Sequence, residues 1–301
     1  MNGDFFNKGQ INDKYARSFV VIVFILFWFF YIIAQILHYS NYSQIAIDIL
    51  MHLAFIGLLY FLIKKHGKWT LIYAVISFLI ISFSEIESVW VLNTYDYLHW
   101  PSGILWTYPT TIGIGWVYLC YASYLLTNIL VLGRENKNGF SSGDHYLPGK
   151  PIYKQILFIL CLSFIDGLFL FHFGVLNENV GIDLGFWKYY YTTEPKFFNL
   201  APTKTLFTYF VASFVFNSIF RLVEYYMNRY KNNKTLSFGK QDIYPVYLFF
   251  LYWFFLIFEA VHVYGINHWS VFVSGPILLI IFAITISKFY YSNNVNEVYP
   301  T

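Results

Sequence analysis

Apolar stretches of about 20 residues, each closed by charged or Pro/Gly/Asn-rich breaks, recur along the chain and limit its fold more than any other feature. They cover approximately residues 18–37, 45–63, 69–92, 109–132, 152–176, 205–227, 243–264 and 271–289. At a rise of about 1.5 Å per residue, each is long enough to cross a hydrocarbon core of about 30 Å as a helix. Only 12% of the 301 residues are charged and 58% are hydrophobic. Soluble domains carry about 25% charge, so water cannot be the solvent for most of this surface. A secreted disulfide scaffold, a disordered chain and an ordinary cytosolic enzyme are thereby excluded. The reading is an all-α, polytopic bundle of eight helices in one domain over residues 1–301.

Lys and Arg bear on the count independently. Lys8, Lys14 and Arg17 precede the first span, and Lys64, Lys65 and Lys68 separate the second from the third. Arg134, Lys137, Lys150 and Lys154 fall between or beside spans four and five. Arg229, Lys231, Lys234 and Lys240 separate six from seven, and Lys288 ends the eighth. The 1–2, 3–4 and 7–8 connections hold neither residue type. The 5–6 connection departs from the alternation, with Lys188, Lys196 and Lys204 balanced by Glu178, Asp183 and Glu194. Basic residues collect on the cytoplasmic side, so both termini are expected there. The protein is expected to be a multi-pass membrane protein, of the cell membrane if its source is a prokaryote. The basic N-terminus precedes a run with no small-residue cleavage site and reads as a retained span.

The net charge of +3 is scattered, with no basic stripe, so nucleic acid is not an expected partner. Cys120 and Cys161 lie within apolar runs and read as packing residues. Aromatics reach 24%, more than interfacial belts require, and two outer connections carry much of the Trp and Tyr. Residues 93–108 read NTYDYLHWPSGILWTY, and residues 177–204 include GFWKYYYTTEPKFFNLAPTK. Loops of this length and composition are expected to be lids or interfacial caps.

Ionisable residues inside a span are expensive and become functional candidates by default. Glu85, Asp166 and Glu259 each stand about 14–16 residues along an outward-running span, roughly 21–24 Å from its cytoplasmic start. One polar layer in the outer half of the bilayer is expected, with His38, His52, His99, His172, His262 and His268 in outer-half or outer-loop positions. Asp48 and His52 are i,i+4 neighbours, and Glu259 and His262 are i,i+3 neighbours. Arg221 and Glu224 read as a local i,i+3 pair snorkelling at a cytoplasmic helix end. Glu87 is two positions from Glu85 and faces elsewhere.

Three chemistries suit such a layer. A buried carboxylic acid can protonate an alkene, and aromatic faces can shield the cation that results. A lone E-x-x-H pair is half of a di-metal motif, but no second pair accompanies it and no metal is expected. Membrane carboxylates can also relay protons in ion-coupled transport.

Residues 85–124 carry Glu85 late in a span, Tyr95 with Tyr97 in the loop, then Pro109 and Trp116. Asp166 is likewise followed by Gly185-Phe186-Trp187-Lys188-Tyr189 and Pro202. This order resembles a carotenoid-biosynthesis membrane family, the bisanhydrobacterioruberin-type hydratases. The resemblance implies acid-catalysed hydration of a terminal prenyl double bond.

The reading is therefore a membrane enzyme that hydrates, isomerises or cyclises an apolar polyene lipid without a cofactor. Asp166 and Glu85 are expected as proton donor and base, in either order, with Glu259 and His262 orienting a water or tuning the acids. Trp90, Tyr95, Tyr97, Trp106, Trp187 and Tyr189 are expected to wall the cavity. The alternative is an ion-coupled transporter or lipid-binding membrane protein using the same layer.

Overall fold

The computed structural model describes residues 52–53, 55–60, 62–63, 66–97, 110–132, 150–183, 187–190, 196–197, 201–230, 246, 249–250, 253–254, 256–257, 260–261 and 269–298. Among them the long helices are α1 (Trp69–Ile86), α2 (Thr110–Thr127), α3 (Ile152–Asp183), α4 (Thr203–Tyr230) and α5 (Trp269–Val298). Short strands β1 (Tyr95–Tyr97), β2 (Trp187–Tyr189), β3 (Lys196–Phe197) and β4 (Ala201–Pro202) lie in the connections. The described residues of 52–66 and 246–261 are also helical.

Four described helices are long and apolar enough to cross a membrane, and they match the third to sixth expected spans. The expected eighth span corresponds to α5, where Ser274–Lys288 forms a shorter apolar helix with Pro276 inside it. The first expected span lies outside the described residues, and the second and seventh are described only in part.

Two helix ends show how local sequence sets these elements. Gly67 takes a φ of 102°, which glycine adopts without the Cβ clash, and α1 starts two residues later. Beyond Ile86 the helix loosens into a π-helical turn, Glu87–Val91. Asn93 then enters the left-handed region at φ 47° and stops it. Thr94 donates twice to the Ser88 carbonyl, from its backbone N–H and its hydroxyl, each at 2.9 Å. The chain leaves this cap directly into β1.

The contacts divide into two compact units. One contains α1 and the first half of α2. Thr70, Ala74, Ser77 and Ile81 form the buried face of α1, while Ile72, Ile76, Ile80 and Phe83 are exposed. The repeat of about four residues places small and polar groups inward and branched apolar groups outward. That inversion of the soluble pattern suits a hydrocarbon solvent. Gly113 lets α2 approach, since a Cβ there would meet the Phe78 ring and Ser82 hydroxyl at 2.9 Å.

The second unit contains the rest of α2, the antiparallel pair α3 and α4, the helical residues around Trp253, α5, residues 65–67 and β1. α3 and α4 come close at glycines. A Cβ at Gly167 would stand 2.8 Å from the Phe210 ring, and one at Gly174 would stand 2.6 Å from the Tyr209 ring. The outer face of α4 carries exposed Phe207, Val211, Val215 and Ile219, again every fourth residue. Lys288 of α5 donates to the Leu130 carbonyl, in the π-helical turn Asn128–Leu132 that follows α2.

α3 is longer than expected. It continues through Asn177, Glu178 and Asn179 to Asp183, a stretch that reads from sequence as the start of a loop. There the Asn179 side-chain amide donates to the Val175 carbonyl at 2.6 Å. At about 1.5 Å per residue, these last turns add roughly 10 Å to the expected span.

Candidate functional site

Two polar clusters lie in the second unit. The first grows from one face of α4. Ser213, Asn217, Arg221 and Glu224 follow at intervals of three or four residues and are all buried. Arg221 reaches across to Asp166 on α3, with Nη2 at 3.0 Å from both carboxylate oxygens and Nε at 3.2 Å from Oδ2. Its Nη1 donates to Asn128 Oδ1 at 2.6 Å, and its Nη2 approaches the Tyr124 carbonyl at 3.4 Å. The guanidinium also lies 4.3 Å from the centre of the Tyr124 ring. Arg221, Asp166 and Asn128 are completely shielded from solvent.

Glu224 extends the network. Its Oε1 stands 3.0 Å from His66 Nδ1, and its Oε2 accepts the Tyr124 hydroxyl at 2.9 Å. His66 Nε2 in turn lies 3.1 Å from the Tyr121 hydroxyl. Phe220, Tyr121 and Tyr124 present ring edges around the imidazole, with centroids 5.0 to 5.9 Å away. Beside the ion pair, Asn217 donates to the Cys120 carbonyl at 2.9 Å and to Ser123 Oγ at 3.1 Å.

The expectation of a snorkelling Arg221 and Glu224 is corrected by this arrangement. Both are buried and tie helices together, because a guanidinium with five donors is satisfied by Asp166, Asn128 and a carbonyl at once. Asp166 is affected too. Its two oxygens are engaged by Arg221 in an ion pair.

The second cluster stands at the far end of α3 and is centred on Glu178. Oε1 accepts the Tyr209 hydroxyl at 2.6 Å, and Oε2 accepts the Tyr189 hydroxyl at 2.7 Å. Asn177 donates to the Tyr209 oxygen at 2.9 Å and fixes its orientation.

An antiparallel ribbon adjoins this carboxylate. β1 and β2 pair with Tyr95 opposite Tyr189, Asp96 opposite Lys188 and Tyr97 opposite Trp187. The Tyr190 N–H continues the ladder by donating to the Thr94 carbonyl at 3.0 Å. The Tyr95 and Tyr189 rings pack with centroids 5.3 Å apart. Trp187 packs against Gly181, where a Cβ would stand 2.2 Å from its ring. Glycine is therefore required for the ribbon to dock on α3.

The expected site residues are distributed as follows. Tyr95, Tyr97, Trp187 and Tyr189 come together in the ribbon. Trp90 is 43% exposed on the π-helical turn, and Glu85 is half-buried near the end of α1, in the other unit. Trp106, Glu259 and His262 lie outside the described residues. Glu178, Tyr209 and Asn177 were not singled out from sequence, nor were His66, Tyr121, Tyr124 and Asn128. A polar stripe at Ser213, Asn217, Arg221 and Glu224 on an otherwise apolar helix was the available signal for the first cluster. Among the described residues, no three His, Cys, Asp or Glu side chains are grouped to hold a metal ion. Compared with protein-family models, characterised proteins and solved structures, the chain matches none.

Proposed function

We propose that the chain is an eight-span membrane enzyme of isoprenoid-type lipid metabolism, with both termini in the cytoplasm and its site toward the outer leaflet. The alternation of Lys and Arg between connections supports the span count and the orientation. The hydration chemistry rests on one observation: two aromatic segments about 90 residues apart pair into one ribbon whose Tyr189 hydrogen-bonds Glu178.

In this reading Glu178 takes the acid role expected of Asp166 or Glu85. Its carboxyl in the protonated form adds a proton to one carbon of a prenyl C=C bond, leaving the tertiary cation on the other. Trp187, Tyr95, Tyr189 and Tyr209 present ring faces that stabilise the cation without attacking it. Water forms the C–O bond, and its surplus proton returns to Glu178, so acid and carboxylate are regenerated. The Tyr189 and Tyr209 hydroxyls stabilise the carboxylate between these steps, and no cofactor is needed.

The test is lipid and pigment profiling of cells that make polyenes and express the chain. A product heavier by one water is expected, and Glu178→Gln should abolish it while leaving the protein in the membrane. Full product formation by that variant would refute the acid role. For the topology, single cysteines placed in the 133–151 connection should react with an impermeant thiol reagent only after the membrane is opened.

The buried Tyr121–His66–Glu224–Tyr124 hydrogen-bond chain favours a second reading, ion-coupled transport, since membrane proton relays are built from such groups. That reading requires proton flux across liposomes holding the purified protein, with no change in lipid mass.

A further inference from the structure

The two hydroxyls that reach Glu178 are alike at the carboxylate and differ in what lies behind them. Tyr209 gives its hydrogen to Oε1 at 2.6 Å, and Tyr189 gives its own to Oε2 at 2.7 Å. Tyr209 is buried on α4, packed where a Cβ on Gly174 would stand 2.6 Å from its ring. Its oxygen also accepts the Asn177 amide N–H at 2.9 Å, so a lone pair is engaged as well as the hydrogen. Tyr189 is half-buried in β2, between exposed Lys188 and exposed Tyr190. Asp96 is exposed opposite Lys188, and one of its oxygens lies 3.4 Å from the Tyr190 hydroxyl. The α3–α4 pair thus encloses one hydroxyl, while the ribbon carries the other to the protein surface.

A hydroxyl passes a proton onward only if it receives one as it gives one. A phenol is a far weaker acid than a carboxyl, so neither tyrosine gives up its hydrogen unless another replaces it. The amide N–H of Asn177 is a donor with no proton to release at neutral pH, so it holds Tyr209 in place and closes it as a route. Tyr189 has the exposed ribbon behind it, where water delivers the replacement. We propose that Tyr189 is the proton shuttle of Glu178, and that Asn177 is the positioning residue that confines the exchange to Oε2. A hydronium ion at the ribbon gives one proton to the Tyr189 oxygen. The hydrogen that Tyr189 held breaks from that oxygen and bonds to Oε2. Hydronium becomes water, the phenol stays a phenol and the carboxylate becomes the acid. Once the acid has spent its proton, the hydroxyl turns back toward Oε2. The inference rests on the reading of Glu178 as the acid and adds how that acid is loaded.

The experiment follows proton uptake by Glu178 in the full chain, held in phosphatidylcholine nanodiscs. After an acid jump in a stopped-flow infrared cell, the carbonyl stretch of the protonated carboxyl appears, and its loss in Glu178→Gln identifies it. Tyr189→Phe should slow that uptake about tenfold or more, and Tyr209→Phe should leave it within about twofold of wild type. Asn177→Asp in the Tyr189→Phe background gives Tyr209 a half-buried neighbour that does release a proton. That double variant should recover part of the lost rate, a gain that a merely displaced ribbon would not produce. Uptake at the wild-type rate in Tyr189→Phe would overturn the proposal. So would an equal slowing in Tyr209→Phe, or a double variant as slow as Tyr189→Phe alone. A Glu178 that takes up no proton at any pH would instead refute the acid reading, and the shuttle with it.

Discussion

The Arg221–Asp166 pair offers the sharpest test of how this bundle is held together. In Arg221→Met the Asp166 carboxylate keeps its burial and loses the guanidinium that touches both oxygens at 3.0 Å. Breaking one side of a buried ion pair costs about 3–5 kcal/mol, and Asp166→Leu should cost a similar amount by stranding Arg221. Replacing both partners removes the unpaired charge. What then remains is the loss of a donor to Asn128 Oδ1 and to the Tyr124 carbonyl, about 1 kcal/mol each. The double variant should therefore be more stable than either single one, with a deficit of about 2 kcal/mol. Equilibrium unfolding in mixed micelles, followed by tryptophan emission, measures all four corners of the cycle. Single losses below about 1 kcal/mol would show that the pair is not formed. A double variant as damaged as the sum of the singles would show that the two residues act separately. The same variant bears on chemistry: if the stabilised double still yields the hydrated product, Asp166 is not the acid.

Other expectations follow from the two clusters. Gly181→Leu places a Cβ within 2.2 Å of the Trp187 ring and should push the ribbon off α3, costing about 1–3 kcal/mol. Stronger quenching of Trp187 by aqueous iodide, read against Trp187→Phe, reports that displacement. His66→Phe takes a 3.0 Å partner from Glu224 and should cost about 1–3 kcal/mol in the same unfolding assay. Adding Glu224→Gln to that variant should cost less than it does in the wild type, since the pair is already broken. Cys120 is buried and Cys161 is exposed on an apolar helix face, so an impermeant maleimide should label neither in intact membranes. Both should react once the protein is dissolved in denaturing detergent.

Much of the architecture follows from local rules. Apolar length sets the spans, Gly67 and Asn93 mark where α1 begins and where its extension stops, and the Trp/Tyr-rich connections stand out by composition alone. The pairing of Tyr95–Tyr97 with Trp187–Tyr189 could not be read in this way, because nothing local relates two segments so far apart. Nor could the extension of α3. No proline interrupts 177–183, and Gly181 within it is needed for the close approach of Trp187.

The sequence by itself determined that this is a helical chain made for lipid, and that its few ionisable residues sit where they are costly. Only the tertiary structure decided which of them meet. Depth along a helix gives a residue's height, but contact also needs the rotation of each helix and the reach of each side chain. Asp166 thus finds Arg221, which reads from sequence as a helix-end residue, and Glu178 finds Tyr209 across the α3–α4 pair. A buried charge goes to whichever partner the packing brings within about 3 Å, and hydrophobic periodicity does not encode that choice.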